Sequence, residues 1–166
     1  MKLSHMAICI LGWIGGSQCF LHAESSVSQV LKMIINATSN LTVSGNPGTL
    51  TVSLNSAGVG SATDATTTYA ITSNTGGNGR LKITGAISSG GNMPTNTSLT
   101  VALASTSGTS QGAQALSTSP VDLVTNLPTL VSDTGGITYT FGVTNGWTVP
   151  AQTLNRTVTL TITSSS

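Results

Sequence analysis

The sequence predicts an all-β protein, an antiparallel sandwich of about seven to nine strands preceded by a signal peptide. Three observations carry that prediction. Apolar residues recur with period two in several segments, as half-buried strands require. Hydroxylic residues fill the alternate positions: residues 24–166 hold 29 Thr and 21 Ser in 143 positions. Thr is β-branched, so it favours strands and presents a hydroxyl without charge. Clusters of Gly, Asn and Ser separate the periodic segments and supply turn chemistry.

Residues 1–23 read as a secretory signal. Lys2 is its positive start and Met6 to Ile14 its apolar stretch, shorter than the ~20 residues that span a bilayer. Leu21-His22-Ala23 offers a small residue at the cleavage position, and Glu24 follows. Cys19 invites lipidation, but Gln18 stands where a small residue is usual. Residues 24–166 are expected to form one sandwich domain, a length sufficient for a core of its own.

The strands follow in order. Residues 27–37 fit either a helix, through Val27, Val30, Leu31, Ile34 and Ile35, or a strand, through Leu31, Met33 and Ile35. A strand is preferred, because no helix cap is clear and a strand pattern follows at Leu41-Thr-Val43. Leu50 to Leu54 and Thr67 to Thr72 alternate briefly. Arg80 to Ile87 alternates with its two bases outward, and Pro120 to Thr125 is a weaker strand. Ser98 to Leu103 turns Leu99, Val101 and Leu103 inward. Ile137 to Val143 does the same with Tyr139 and Phe141, and Asn155 to Thr163 with Val158, Leu160 and Ile162. The turns fall at 73–79 and 88–94, in a long small-residue loop at 105–119, and at Asp133-Thr-Gly-Gly136.

The chemistry-bearing inventory is sparse. Both Cys and both His lie within residues 1–23. Residues 24–166 keep four acids (Glu24, Asp64, Asp122, Asp133) and four bases (Lys32, Arg80, Lys82, Arg156), a net charge of zero. Most catalytic constellations draw on His, Cys or clustered carboxylates, so a non-enzymatic role is expected, with no cofactor and no metal. A calcium site needs six or more oxygens, and the three Asp are isolated in sequence. Zero net charge removes the electrostatic footprint of nucleic-acid binding. No membrane span is expected once the signal is cleaved.

The remaining motifs are weak. Asn36, Asn40, Asn96 and Asn155 head N-x-S/T sequons, about as many as this Thr and Ser content produces by chance. Leu127-Pro-Thr-Leu130 lacks the closing Thr-Gly of a sortase signal. Trp147, in Asn145-Gly-Trp-Thr-Val-Pro150, is the single Trp after the signal. It offers a ring for stacking on a sugar, with Tyr139 as a second aromatic, although packing at the sandwich rim is the more usual fate of such a residue.

The stretches Thr68-Tyr-Ala-Ile-Thr-Ser73, Lys82-Ile-Thr-Gly85, Met93-Pro94 before Leu99-Thr-Val-Ala-Leu103, and Arg156-Thr-Val-Thr-Leu-Thr-Ile-Thr163 give the chain a family look. It resembles secreted Thr/Ser-rich bacterial surface β-sandwich proteins, fimbrial subunits and bacterial Ig-like domains among them. The resemblance implies an Ig-like sandwich that is periplasmic, cell-surface or extracellular. Its role would be structural or adhesive, with copies of itself, other surface proteins or glycans as partners. The chain departs from chaperone–usher pilins by lacking their cysteine pair after the signal, and its final strand looks complete. The alternative function is a secreted carbohydrate-binding module centred on Trp147. Val30, Leu31, Met33 and Ile35 are candidates for self-association, since residues 27–37 form a nearly uncharged strand able to complete their own sheet or a neighbour's. Cleavage after Ala23 is checked by N-terminal sequencing of exported protein, which should begin at Glu24.

Overall fold

The computed structural model describes residues 29–165; the expected signal segment, its expected cleavage position and Val27 lie outside the described residues. The chain divides into two compact units, Met1–Ile34 and Ile35–Ser166. Of the first, residues 29–34 are described and form neither helix nor strand. The second holds nine strands: β1 (Ser39–Ser44), β2 (Gly60–Asn74), β3 (Arg80–Ser89), β4 (Thr97–Leu103), β5 (Thr109–Ser110), β6 (Gln114–Ala115), β7 (Val121–Pro128), β8 (Leu130–Val143) and β9 (Thr157–Ser165). They build two antiparallel sheets, ordered β1-β2-β8-β4-β6 and β5-β7-β3-β9. From β3 onward each strand lies in the opposite sheet from its predecessor. The described residues contain one 3-10 turn and no α-helix, hence no helix long and apolar enough to cross a membrane.

Period-two alternation places one face of each strand inside. Tyr69, Ile71, Leu99, Val101, Leu103, Ile137 and Tyr139 come from the five-stranded sheet; Leu81, Ile83, Ile87, Leu123, Val124 and Leu127 come from the other. They form one core cluster, as two sheets packed face to face require. The expected inward sets of β4 and β8 are inside, although Phe141 is only half-buried. On β9 the register is as expected, with Thr157, Thr159, Thr161 and Thr163 exposed. Val158, Leu160 and Ile162 are half-buried rather than enclosed, because β9 is an edge strand with β3 on one side only.

The tight turn expected at Asp133–Gly136 is not formed. That segment runs extended within β8, opposite Ile71 to Thr68 of β2. The chain turns instead at Thr129, the single residue between β7 and β8. Pro128 ends the ladder to β3 opposite Arg80, and Leu130 begins the ladder to β2 opposite Asn74. Pro fits a strand end because it has no N–H to offer the next ladder position. Thr129 is tied to the turn beneath it, its carbonyl accepting from Thr75 N at 3.2 Å and its hydroxyl donating to Gly77 O at 3.1 Å.

Two other expected strands are absent. Residues 29–38 pair with nothing as strand, and β1 begins only at Ser39. Their apolar residues alternate but find no surface to cover; Val30 is 97 % exposed and Ile35 89 %. Leu50 to Leu54 also lacks a ladder. Leu50 still packs against the core, and Gly60 lets the backbone at Ser53 approach so closely that a Cβ there would sit 2.7 Å from Val52 Cγ1. Close packing in place of pairing explains why apolar alternation misled there.

Burial decides the expected costs of truncation. Leu123, fully enclosed, should lose about 2–5 kcal/mol as Leu123→Ala. Half-buried Leu160 should lose roughly 1–2 kcal/mol, and exposed Thr159→Ala less than about 0.5 kcal/mol. Urea unfolding of the three variants measures the order; equal losses at Leu160 and Thr159 would mean that β9 sits one residue out of register.

Candidate binding surfaces

A buried carboxylate organises one end of the sandwich. Asp133 points inward from β8 and is 6 % exposed. Its Oδ2 accepts from Ser105 Oγ (2.8 Å), Thr106 N (3.2 Å) and Ser107 N (3.2 Å). Its Oδ1 accepts from Thr106 Oγ1 (2.7 Å) and Thr134 N (2.9 Å). Burial alone would raise the Asp133 pKa, but the hydroxyls of Thr106 and Ser105 and the amides of Ser107 and Thr106 outweigh it and hold the carboxyl below its usual range. Beside it Tyr69 donates its hydroxyl to Ala104 O at 2.7 Å. Burial, with Asp133 nearby, pushes the Tyr69 phenol up, against a lowering contribution from Ser105. All the acceptor capacity of Asp133 is spent on its own chain, so its role is to hold the 104–108 segment.

The opposite end carries Trp147. Three loops meet there: 55–59 before β2, 94–96 before β4, and 144–149 after β8. Asn55 Oδ1 accepts from Ala57 N and Val59 N, both at 3.0 Å, closing an Asx-type turn. Gly58, at φ +74°, occupies the left-handed position of that turn. Gly146 N donates to Gly58 O at 2.7 Å, joining this loop to the 3-10 turn Gly146–Thr148. Asn96 Nδ2 donates to Thr148 Oγ1 at 2.8 Å, and Thr144 N to Asn96 O at 2.9 Å. Trp147 rests against Gly58 at the rim yet is 73 % exposed, so it is packed on one side only. Leu54, which packs on Gly146, and Val59, next to Gly58, are also exposed, at 42 % and 43 %.

Tyr139 does not join that surface. It lies in β8 facing the core, opposite Val101, and burial raises its phenol pKa. Enclosed there, it has no face to offer a ligand. The self-association candidates Val30, Leu31, Met33 and Ile35 are all exposed, together with Ile34. The residues after them are held: Asn74 Oδ1 accepts from Thr38 N at 2.6 Å, and Asn74 Nδ2 donates to Asn36 O at 3.3 Å.

The other two acids among the described residues are engaged separately. Asp64 is held below its usual range by the Thr66 amide and hydroxyl, with the Gly48 amide adding to them against a small effect of burial. Asp122 pairs with Lys82 at 3.0 Å on the outer face of the four-stranded sheet. No three His, Cys, Asp or Glu side chains among the described residues stand close enough to share a metal ion. The outer face of the five-stranded sheet bears an open trough of about 380 Å³ over Ala70 and Gly136, walled by Thr42, Ser44, Thr68 and Thr134. Its hydroxyls bond among themselves, Ser44 Oγ to Thr68 Oγ1 at 2.6 Å, and to the backbone.

Sequence reasoning missed Gly58 and Gly146 as the supports of Trp147. The available signals were Asn55 three residues before a Gly, and a Gly directly before the Trp. It also missed Asp133, whose Gly-Gly neighbours read as a turn. Comparison of the chain with protein-family models, with curated proteins and with solved structures returned no match.

Asp133 carries a pH signature. Its folded pKa is depressed, so its contribution is complete above the unfolded value of about 3.9 and fades as pH falls through the lower folded value. Asp133→Asn should cost roughly 1–3 kcal/mol at pH 7 through unsatisfied donors. The gap to the parent should narrow below about pH 4, which urea midpoints at pH 7 and pH 3 would measure.

Proposed function

We propose that this is an exported, non-catalytic bacterial surface protein of fimbrial or adhesive type, an Ig-like sandwich whose work is done by strand edges and exposed surfaces. The observation that carries the reading is an edge strand with no ladder partner on its outer side. β9 offers nine residues, Thr157 to Ser165, without a charge, a Pro or a partner on its outer side. Monomeric β-proteins usually blunt such an edge with charges, prolines, bulges or a covering loop. The half-buried Val158, Leu160 and Ile162 leave apolar surface at the same edge.

The second support is the stretch Val30–Ile35, whose five apolar residues are 69–97 % exposed around a single charge, Lys32. An extended segment of that composition suits strand addition, in which backbone hydrogen bonds give affinity and alternate side chains fill pockets. Burying it in another copy would remove both exposures at once. The absence of His and Cys after residue 23 fits a role without covalent chemistry.

Sizing and electron microscopy of the exported protein test this reading. Polymers or stable oligomers are the expected outcome. Thr159→Lys with Thr161→Lys, which charges the open edge, should leave a monomer with unchanged strand-type circular dichroism, and deletion of residues 24–35 should do the same. A parent protein that stays monomeric at high concentration would overturn it.

A further inference from the structure

We propose that Trp147 is a stacking platform for one ring of a neutral saccharide, braced from behind by Gly58. The geometry of that support is specific. A Cβ built on Gly58 would lie 2.7 Å from Trp147 Nε1, 2.9 Å from Cδ1 and 3.1 Å from Cε2. A point in the ring plane beyond Nε1 would be much closer to Nε1 than to the two carbons bonded to it. Near-equal distances to all three place the point over the face of the five-membered ring. One face of the indole therefore lies flat on the backbone of Gly58, which is itself buried, while Trp147 as a whole stays 73 % exposed. The exposure belongs to the opposite face.

The brace is built rather than incidental. Gly58 holds its φ of +74° through the Asn55 turn, and any side chain there would be both strained and driven into the indole. Gly146 is buried one residue before the Trp; a Cβ on it would collide with Leu54 Cδ1, and its amide is spent on Gly58 O. Asn96 fixes Thr148 on the other side. The ring is thus positioned before any ligand arrives, which removes an ordering cost from binding. Among the described residues, Trp147 Nε1 has no acceptor, so the indole N–H remains free to donate to a hydroxyl.

Size and charge choose the ligand class. An aromatic side chain contributes on the order of 150–250 Å², whereas a stable protein interface needs about 800 Å² on each partner. One open indole matches a single ring better than a protein. No residue in loops 54–59, 94–96 or 144–149 carries a charge, so nothing there would hold an acidic sugar or a peptide terminus. The apolar face of a pyranose on the indole, with its hydroxyls turned to water and to Nε1–H, fits both facts. A single open platform gives an affinity on the order of millimolar, so the site works by repetition, along a polysaccharide or across many copies.

The inference stands apart from the edge reading above, because it uses neither β9 nor residues 30–35. The test is electrophoresis of the full chain through gels containing soluble β-glucan, xylan or galactomannan. Tryptophan fluorescence titration with the matching oligosaccharides accompanies it. Retardation by at least one neutral polysaccharide is expected, with a blue shift that Trp147→Ala abolishes. Trp147→Phe should keep partial retardation. Gly58→Ala should weaken binding about tenfold or more by displacing the ring; circular dichroism separates that from misfolding, and Trp147→Ala, a change at an exposed residue, gives an answer if Gly58→Ala fails to fold. Equal retardation of Trp147→Ala and parent, retardation by acidic polysaccharides alone, protection of Trp147 by peptides alone, or no retardation in any gel would each overturn the proposal.

Discussion

Asp133 accepts five hydrogen bonds from residues 105–107 and Thr134, and the passage of the chain from one sheet to the other after β4 is arranged around it. A carboxylate inside a sandwich is costly unless its lone pairs are filled. Here they are filled by the backbone and hydroxyls of a segment that would otherwise have no regular partner. Tyr69 completes the arrangement from β2, and Gly135 permits it: a Cβ there would lie 2.7 Å from Tyr69 Cε1 and would collide with Ala104 O. Small, hydroxylic and acidic residues thus do at this end what a disulfide does in many small exported domains.

The two ends of the sandwich follow different logic. At the Asp133 end, polar groups are consumed internally and leave nothing for a ligand. At the Trp147 end, the hydrogen bonds are spent on backbone placement, and the largest aromatic side chain is left facing water. Exposing a ring of that size forgoes a substantial hydrophobic gain. The glycines at 58 and 146, which let the loops approach, hold it in one orientation. A surface with so few charges has little field with which to steer a partner.

The edges present the complementary case. β5 and β6 are two residues each, which gives their sides of the sheets little ladder to offer. β1 and β9 are longer and uncharged. Ladder groups facing water satisfy themselves by solvation, but they also accept any extended chain that arrives.

Period-two alternation in the sequence sufficed to establish the class of the fold, the strands at 80–87, 98–103, 137–143 and 157–163, and the inward residues of each, because alternation is a local consequence of strand geometry. The inventory of His, Cys and acids was equally legible. Alternation could not show which strands pair. Residues 27–37 and 50–54 have the pattern, but β1 occupies the place beside β2 and the second segment packs without a ladder. Nor could it separate two uses of glycine. Asp133-Thr-Gly-Gly136 reads as a turn, yet Gly135 is in a strand to admit Tyr69 and the Ala104 carbonyl from distant parts of the chain. The exposure of Trp147 was decided in the same way, by loops 55–59 and 94–96 closing beneath and beside it. These are contacts between residues far apart in sequence, and only the assembled sheets bring them together.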